Sequence, residues 1–124
     1  MLKILIVDDS MFSRKIVSNL IKKFIGNVDD IEMFFACDGQ EGFEKYKDIN
    51  PDYTILDLLM PNLNGKELIK LIKEDNKDAK IAVISADVQK NVREEIESYG
   101  IMAFINKPFN QKKAEKLCNM MRND

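Results

Sequence analysis

Five short apolar segments alternate with longer amphipathic segments along the chain. The apolar segments lie near Leu2–Val7, Glu32–Ala36, Tyr53–Leu56, Lys80–Ser85 and Ala103–Asn106. They are rich in β-branched and aromatic residues but do not alternate cleanly between apolar and polar positions, which is typical of strands covered on both faces of a sheet. The pattern therefore predicts five buried strands.

The segment after each strand carries apolar residues at helical spacing. The first predicted helix extends from about Met11 to Phe24, with Ser10 as its cap and Gly26 at its end. Its expected buried face consists of Phe12, Ile16, Val17, Leu20, Ile21 and Phe24. The same spacing predicts amphipathic helices in the other four segments.

Local signals at the segment ends fix where the remaining helices begin and end. The second helix is predicted to start after Asp38, the third after Asn64-Gly65 and the fifth after Asn110. The fourth is expected to stop at Gly100, with its apolar stripe at Val88, Val92, Ile96 and Tyr99. Strands and helices thus follow one another in strict alternation.

Such alternation predicts an α/β fold with a parallel sheet and right-handed crossovers. Five strands favour the doubly wound, flavodoxin-like order 2-1-3-4-5, whose ligand crevice lies where strands 1 and 3 diverge. At 124 residues the chain is expected to be one domain over residues 1–124. Because nothing follows the last helix, we expect no output domain.

Polar residues follow or end four of the predicted strands. They are Asp8-Asp9, Asp57, Ser85 and Lys107, and a parallel sheet brings such positions to one edge. Two carboxylates about 4 Å apart repel by roughly 4 kcal/mol at an effective dielectric constant near 20, so a divalent cation is expected between them. Hard oxygen ligands favour Mg²⁺.

A carboxylate, a magnesium ion, a hydroxyl and a lysine in one cleft are suited to phosphoryl chemistry. Lys107 could neutralise phosphate oxygens, Ser85 could donate a hydrogen bond to one, and a carboxylate could act as the nucleophile. The sequence contains no histidine, which excludes Ser-His-Asp and Cys-His catalysis. Cys37 and Cys118 lack metal-ligand spacing and are expected to be reduced structural thiols.

Composition argues against several classes of partner. The net charge is −2 and no block of Lys or Arg stands out, so nucleic-acid binding is not expected. No apolar segment approaches the roughly 20 residues of a membrane span, and the amino terminus makes a poor signal peptide. We therefore expect a cytoplasmic protein.

Four short motifs, taken in order, resemble the receiver domain of two-component response regulators, and the resemblance extends over the whole chain. They are Ile6-Val7-Asp8-Asp9-Ser10, Leu56-Asp57-Leu58-Leu59-Met60-Pro61 with Asn64-Gly65, Val83-Ile84-Ser85-Ala86, and Asn106-Lys107-Pro108-Phe109. The single-domain chemotaxis type is the most similar. The resemblance implies a signalling switch that catalyses only its own phosphorylation and dephosphorylation.

The resemblance also implies a role for each motif residue. Asp57 would accept a phosphoryl group from the phosphohistidine of a sensor histidine kinase. Asp9, Asp57 and the backbone carbonyl of Leu59 would hold Mg²⁺, with Asp8 acting mainly through water. Ser85 and Lys107 would contact the phosphate, and the peptide bond before Pro108 would be cis.

Phe104 stands at the position of the family's aromatic switch, which turns inward when the hydroxyl residue moves. Three positions depart from the commonest family pattern: Leu59 is apolar, Asp87 is acidic and Asn106 is polar. In the family, the positions of Leu59 and Asp87 flank the path of the water that hydrolyses the acyl phosphate, so the resemblance implies that both residues tune its lifetime. The side chain of Asn106 has no evident use.

The function implied is a phosphorylation-activated switch that binds a downstream effector through the surface of helix 4, strand 5 and helix 5. It would act as a monomer or as a dimer formed on phosphorylation, either in chemotaxis or as a phosphorelay intermediate. A haloacid-dehalogenase-type phosphatase is an alternative, although it would require a carboxylate where Leu59 stands. A flavodoxin is a further alternative, although two aspartates would repel its flavin phosphate.

Overall fold

The computed structural model describes residues 1–86 and 89–123 and consists of a sheet with helices on both faces. The strands are β1 (Leu2–Val7), β2 (Ile31–Ala36), β3 (Tyr53–Leu56), β4 (Ile81–Ser85) and β5 (Ala103–Asn106). The α-helices are α1 (Met11–Phe24), α2 (Gly39–Ile49), α3 (Gly65–Asp75), α4 (Lys90–Glu97) and α5 (Gln111–Arg122). A 3₁₀ helix spans Val28–Asp30. No helix within these ranges is long and apolar enough to cross a membrane.

The sheet has the order β2-β1-β3-β4-β5, and every pair of neighbouring strands is parallel. The predicted fold class and strand order are therefore confirmed. Val7 is paired with Ala36 on one side and with Leu56 on the other, so these three strands end at the same level. The residues that follow them emerge along one edge of the sheet.

Each central strand divides its apolar side chains between two cores. Ile4 and Ile6 of β1 face the core beneath α1 and α5, while Leu5 and Val7 face the core beneath α2, α3 and α4. All four side chains are buried, because helices cover both faces of the sheet. This double burial explains why the strands show no alternation of apolar and polar residues.

Polar side chains cap four of the five helices at the carboxyl edge of the sheet. The side chains of Ser10, Asp38, Asn64 and Asn110 accept hydrogen bonds from backbone amides in the first turns of α1, α2, α3 and α5. Such caps satisfy amides that have no partner inside the helix. The predicted starts of α1, α2 and α5 are thus confirmed, and α3 begins one residue earlier than expected, at Gly65. Helix α1 also ends as expected, two residues before Gly26.

Three details of the helix predictions need revision. Helix α4 was expected to stop at Gly100, but it ends at Glu97, and Tyr99 lies in the turn that follows. Phe12 was expected on the buried face of α1, but 73% of its surface is exposed. The prediction was wrong because the first turn of α1 extends past the ends of the strands. The spacing of apolar residues places Phe12 on the buried face, but no core lies beneath that turn. Val88, predicted on the stripe of α4, lies outside the described residues, and Ile96 is the buried residue of that helix.

The environments of the two cysteines predict different thiol reactivity. Cys37 is exposed, although a hydrogen bond to Glu41 raises the pKa of its thiol. Burial raises the pKa of Cys118 to about 11, and its thiol donates to the carbonyl of Ile21 at 3.7 Å. We expect iodoacetamide at pH 8 to modify the native protein once, at Cys37, and the denatured protein twice, as measured by intact mass.

The variant Cys37→Ser is the control for this experiment. It should remain unmodified under native conditions and take one label after denaturation. Rapid labelling of native Cys37→Ser would contradict the buried position of Cys118.

Candidate functional site

The carboxyl edge of the sheet brings the predicted polar residues together. Asp8 directly follows β1, Asp57 directly follows β3, and Ser85 is the last residue of β4. Lys107 directly follows β5, and its backbone amide donates to the carbonyl of Ser85 at 2.9 Å. The ends of four strands thus meet at one edge of the sheet, as the strand pattern predicted, with Ser85 joined to Lys107 through the backbone.

The ammonium group of Lys107 lies between two buried carboxylates. Its Nζ atom is 3.0 Å from Oδ2 of Asp57 and 3.1 Å from Oδ2 of Asp8. A third acceptor, Oγ of Ser13 on α1, lies 3.4 Å away. Asp8 and Asp57 are 5% and 6% exposed, so this contact links strands β1, β3 and β5 at the floor of the cleft.

Three carboxylates are close enough to hold a metal ion. One oxygen each from Asp8, Asp9 and Asp57 lies within 4.8 Å of the others, and Asp9 is the exposed member of the group. Lys107 and the Arg14 guanidinium at the Asp8 carbonyl supply two positive charges against three negative charges, which leaves the cluster short of positive charge. An all-oxygen donor set of this kind fits a hard divalent cation such as Mg²⁺.

Burial and hydrogen bonding act in opposite directions on the charges of this cleft. Burial raises the pKa of Asp8, and the hydrogen bonds from the Ser10 amide and from Lys107 offset only part of that rise. For Lys107, burial would lower the pKa, but the hydrogen bonds and charges of Asp57 and Asp8 outweigh it and raise the pKa instead. The lysine therefore remains an ammonium at neutral pH.

Backbone groups complete the environment of the two buried carboxylates. The Ser10 amide donates to Oδ1 of Asp8 at 2.9 Å, and the Leu59 amide donates to Oδ1 of Asp57 at 3.3 Å. Nη1 of Arg14 donates to the backbone carbonyl of Asp8 at 2.6 Å. These contacts hold each carboxylate in one orientation, facing Lys107.

Gly65 leaves the space that the loop after β3 needs. Its amide donates to the carbonyl of Leu58 at 3.0 Å, and a Cβ atom at this position would lie 2.3 Å from the backbone oxygen of Asp57. No side chain fits at that distance, so a glycine is required here. The sequence indicated Asn64-Gly65 as a helix start, but not that the glycine lies against the backbone of Asp57.

The residues expected to tune or switch the site occupy different environments. Leu59, two residues after Asp57, is 60% exposed, while Ser85 is completely buried. Phe104 is 8% exposed, and the Arg93 guanidinium lies 5.1 Å from the centre of its ring, so the ring already points inward. Asp87 lies outside the described residues. The peptide bond between Lys107 and Pro108 is cis, as the resemblance implied.

Two polar residues near the cleft were not given a role by the sequence. Ser13 contacts Lys107, although nothing in the sequence marks it beyond its place one turn after the cap residue Ser10. Asn106 lines a cavity of about 420 Å³ between α4, β5 and α5. Its Oδ1 atom is buried and has no hydrogen-bond partner among the described residues.

Comparison with known proteins resolves the family. Residues 4–119 match the model of the response regulator receiver domain. The chain belongs to this family. It is 36% identical to the chemotaxis protein CheY of Listeria monocytogenes over 110 residues, which is 88% of each chain. It is also 36% identical to CheY of Thermotoga maritima over 117 residues, which is 94% of each chain.

Solved structures support the same assignment. A chain of the CheX–CheY–BeF₃–Mg²⁺ complex from Borrelia burgdorferi matches 98% of this chain and 87% of its own length, with a TM-score of 0.83 and 28% identity. The response regulator domain of Thermotoga maritima CheB matches 99% of this chain and 95% of its own length, with a TM-score of 0.82 and 30% identity. The fold of this receiver domain is therefore that of chemotaxis receivers.

Membership of this family gives the general function. Receiver domains are phosphorylation-regulated signalling switches that bind Mg²⁺ at an acidic pocket, and this protein carries such a pocket in Asp8, Asp9 and Asp57. The family assignment excludes the phosphatase and flavodoxin alternatives. The receiver domain acts in two-component signalling, with chemotaxis proteins among its relatives.

The close approach at Gly65 leads to a test of the loop that carries Asp57. Replacing Gly65 with alanine should lower the free energy of unfolding by about 2–4 kcal/mol, because the new methyl group must displace the backbone of Asp57 and Leu58. Urea denaturation of wild type and variant measures this difference.

A matched control is Glu74→Ala on the exposed side of the same helix. Its effect should stay within about 0.5 kcal/mol. If Gly65→Ala were as stable as Glu74→Ala, the loop would not depend on a glycine.

Proposed function

We propose that Asp57 accepts a phosphoryl group from the phosphohistidine of a partner histidine kinase, in the presence of Mg²⁺. The acyl phosphate then shifts the domain towards a conformation that binds a downstream protein, in a chemotaxis-type pathway. The observation that carries this proposal is the position of Lys107 Nζ, 3.0 Å from Asp57 and 3.1 Å from Asp8, beside a cluster of three carboxylates.

The transfer requires a nucleophile and charge compensation. An oxygen of Asp57 attacks the phosphorus atom, a P–O bond forms, and the P–N bond breaks with its electron pair going to the histidine nitrogen, which takes up a proton. Asp9, Asp57, the Leu59 carbonyl and, through water, Asp8 would hold Mg²⁺. When bound, Mg²⁺ supplies positive charge for the phosphoryl oxygens. Later attack of water on phosphorus releases inorganic phosphate and restores Asp57.

Phosphorylation forces Lys107 to change partners, and this change can drive the switch. Before transfer, its ammonium is bound to the carboxylate of Asp57, whereas afterwards the negative charge lies on the phosphoryl oxygens further from the strand. Ser85, buried at the neighbouring strand end, would donate a hydrogen bond to a phosphoryl oxygen in the same state. Contacts that exist in only one of two states shift the population towards that state.

The contacts of β5 connect Lys107 with the surface formed by α4, β5 and α5. The Lys107 amide is bound to the Ser85 carbonyl, and Phe104 lies three residues earlier on β5. Arg93 of α4 covers the Phe104 ring and donates to its carbonyl at 3.5 Å. We infer that Phe104 and Arg93 couple the cleft to the face formed by α4, β5 and α5, where the effector binds.

Acylation of Asp57 is directly testable. Incubation with acetyl phosphate and Mg²⁺ should add the mass of one phosphoryl group to the intact protein. The addition should be lost in Asp57→Asn and in the presence of a chelator, because the first removes the nucleophile and the second removes the cation.

A matched control is Asp48→Asn, which alters an exposed aspartate on α2. This variant should be modified to the same extent as wild type. Equal modification of Asp57→Asn would contradict the proposed acceptor. Transfer of the phosphoryl group onward to a histidine-containing protein would indicate a phosphorelay intermediate instead of a chemotaxis output.

The exposed side chain of Leu59 predicts control of the phosphorylated lifetime. Leu59 is exposed and its amide donates to Oδ1 of Asp57, so we expect its apolar side chain to keep water from being held near the phosphorus atom. Leu59→Asn should therefore speed dephosphorylation several-fold while leaving the phosphorylation yield nearly unchanged. Asp87→Asn is expected to alter the same rate.

Release of inorganic phosphate from purified phosphorylated protein measures the rate. The control is Met120→Asn, which makes the same kind of change at an exposed apolar residue on α5. Leu63 is unsuitable for this purpose because it packs against the core. Equal hydrolysis rates in wild type, Leu59→Asn and Asp87→Asn would refute the tuning role.

A further inference from the structure

Four hydrogen bonds form a closed ring between the first turn of α1 and the lysine of the cleft. The Ser10 amide donates to Oδ1 of Asp8 at 2.9 Å, and the Ser13 amide donates to Oγ of Ser10 at 3.2 Å. Lys107 Nζ donates to Oγ of Ser13 at 3.4 Å and to Oδ2 of Asp8 at 3.1 Å, which closes the ring. The hydroxyl of Ser13 is therefore held by the same turn that orients Asp8.

An ammonium group has three hydrogens to donate, and two carboxylates take only two of them. In this cleft the third hydrogen faces Ser13, because Asp57 and Asp8 take the other two. A neutral hydroxyl differs from the carboxylates in one important respect. It neither changes charge on phosphorylation nor competes for a cation, so it can remain a partner of Lys107 in both states.

We propose that Ser13 is a positioning residue for Lys107. Its hydroxyl keeps the ammonium aimed at the phosphoryl site while the lysine exchanges the Asp57 carboxylate for a phosphoryl oxygen. This proposal rests on the function proposed for Asp57. It adds a residue that lies on a helix, outside the strand-end motifs by which the site is recognised.

The surroundings of Ser13 allow a conservative replacement. Ser13 and Lys107 line a cavity of about 420 Å³, whose other walls are Phe12, Ile16, Val17, Pro108 and Phe109. A threonine at position 13 keeps the hydroxyl and places its methyl group in apolar surroundings. Ser18, one and a half turns later on α1, provides the matched control, because it is buried and its Oγ has no partner among the described residues.

The test compares Ser13→Ala, Ser13→Thr and Ser18→Ala with wild type. The first measurement is the rate of phosphorylation by acetyl phosphate with Mg²⁺, which needs no partner protein. Ser13→Ala should be slower by about five-fold, because an ammonium without its third acceptor is aimed at the phosphoryl site for a smaller fraction of the time. Ser13→Thr and Ser18→Ala should stay near the wild-type rate.

The second measurement is the ¹⁵N NMR signal of the Lys107 ammonium, recorded without phosphodonor. Its hydrogens should exchange with solvent about five-fold faster in Ser13→Ala than in wild type or Ser13→Thr, because one acceptor is gone. A structural effect of the alanine on α1 would not alter this signal selectively. Lys113, whose Nζ donates to the Asn106 carbonyl at 2.7 Å, is the internal reference.

The two measurements separate the possible failures. Wild-type exchange of the Lys107 ammonium in Ser13→Ala would overturn the positioning role whatever the rates, and so would an unchanged rate of phosphorylation. Failure of Ser13→Thr to restore both properties would also overturn it. Wild-type protein that accepts no phosphoryl group would refute the function proposed for Asp57, while the exchange measurement would still test the contact itself.

Discussion

The structure depends on a single lysine that holds two buried carboxylates together. Asp8 and Asp57 lie at the ends of adjacent strands and are nearly inaccessible to solvent, with Asp9 beside them. Like charges at such distances repel by about 3–4 kcal/mol at an effective dielectric constant near 20, and Lys107 offsets only part of that repulsion. The remaining deficit of positive charge makes the cleft receptive to a divalent cation. It also makes Lys107 the group whose partners must change when the charge at Asp57 changes.

The same lysine connects the cleft to the rest of the fold. Its backbone amide is bound to Ser85 on β4, and its side chain contacts β1, β3 and α1 through Asp8, Asp57 and Ser13. A movement of Lys107 cannot remain local, because each of these contacts belongs to a different element. Strand β5 is at the edge of the sheet, paired on one side by β4, so it can respond to such a movement more freely than a central strand.

Sequence patterns predicted the elements well because burial on two faces leaves a strong signal. All five strands begin and end within one residue of their expected limits, and the strand-end residues Asp8, Asp57 and Lys107 meet as expected. One wrong assignment and two features that the sequence did not reveal share a physical cause. Each depends on how far a helix start or a loop extends past the sheet. The three are the exposure of Phe12, the contact of Ser13 with Lys107 and the need for a glycine at position 65. Neither the spacing of apolar residues nor a strand-end motif indicates how far a helix or a loop extends beyond the strands.

The burial of α3 and α4 indicates which helix can move. Helix α3 buries Leu68, Ile69 and Ile72 completely, and at about 1.5–3 kcal/mol for each side chain its displacement would cost roughly 5–9 kcal/mol. Helix α4 buries only Ile96 among its described residues, with Val92 half-buried beside it in the core that it shares with α3. The exposed ion pair between Lys66 and Glu95 adds little to this contact. A coupling free energy of about 1–3 kcal/mol, typical of protein switches, is therefore too small to move α3. It is comparable to the free energy that the burial of Ile96 contributes to holding α4 in place. The response to phosphorylation should therefore be concentrated in α4 and in the Arg93–Phe104 contact beside it.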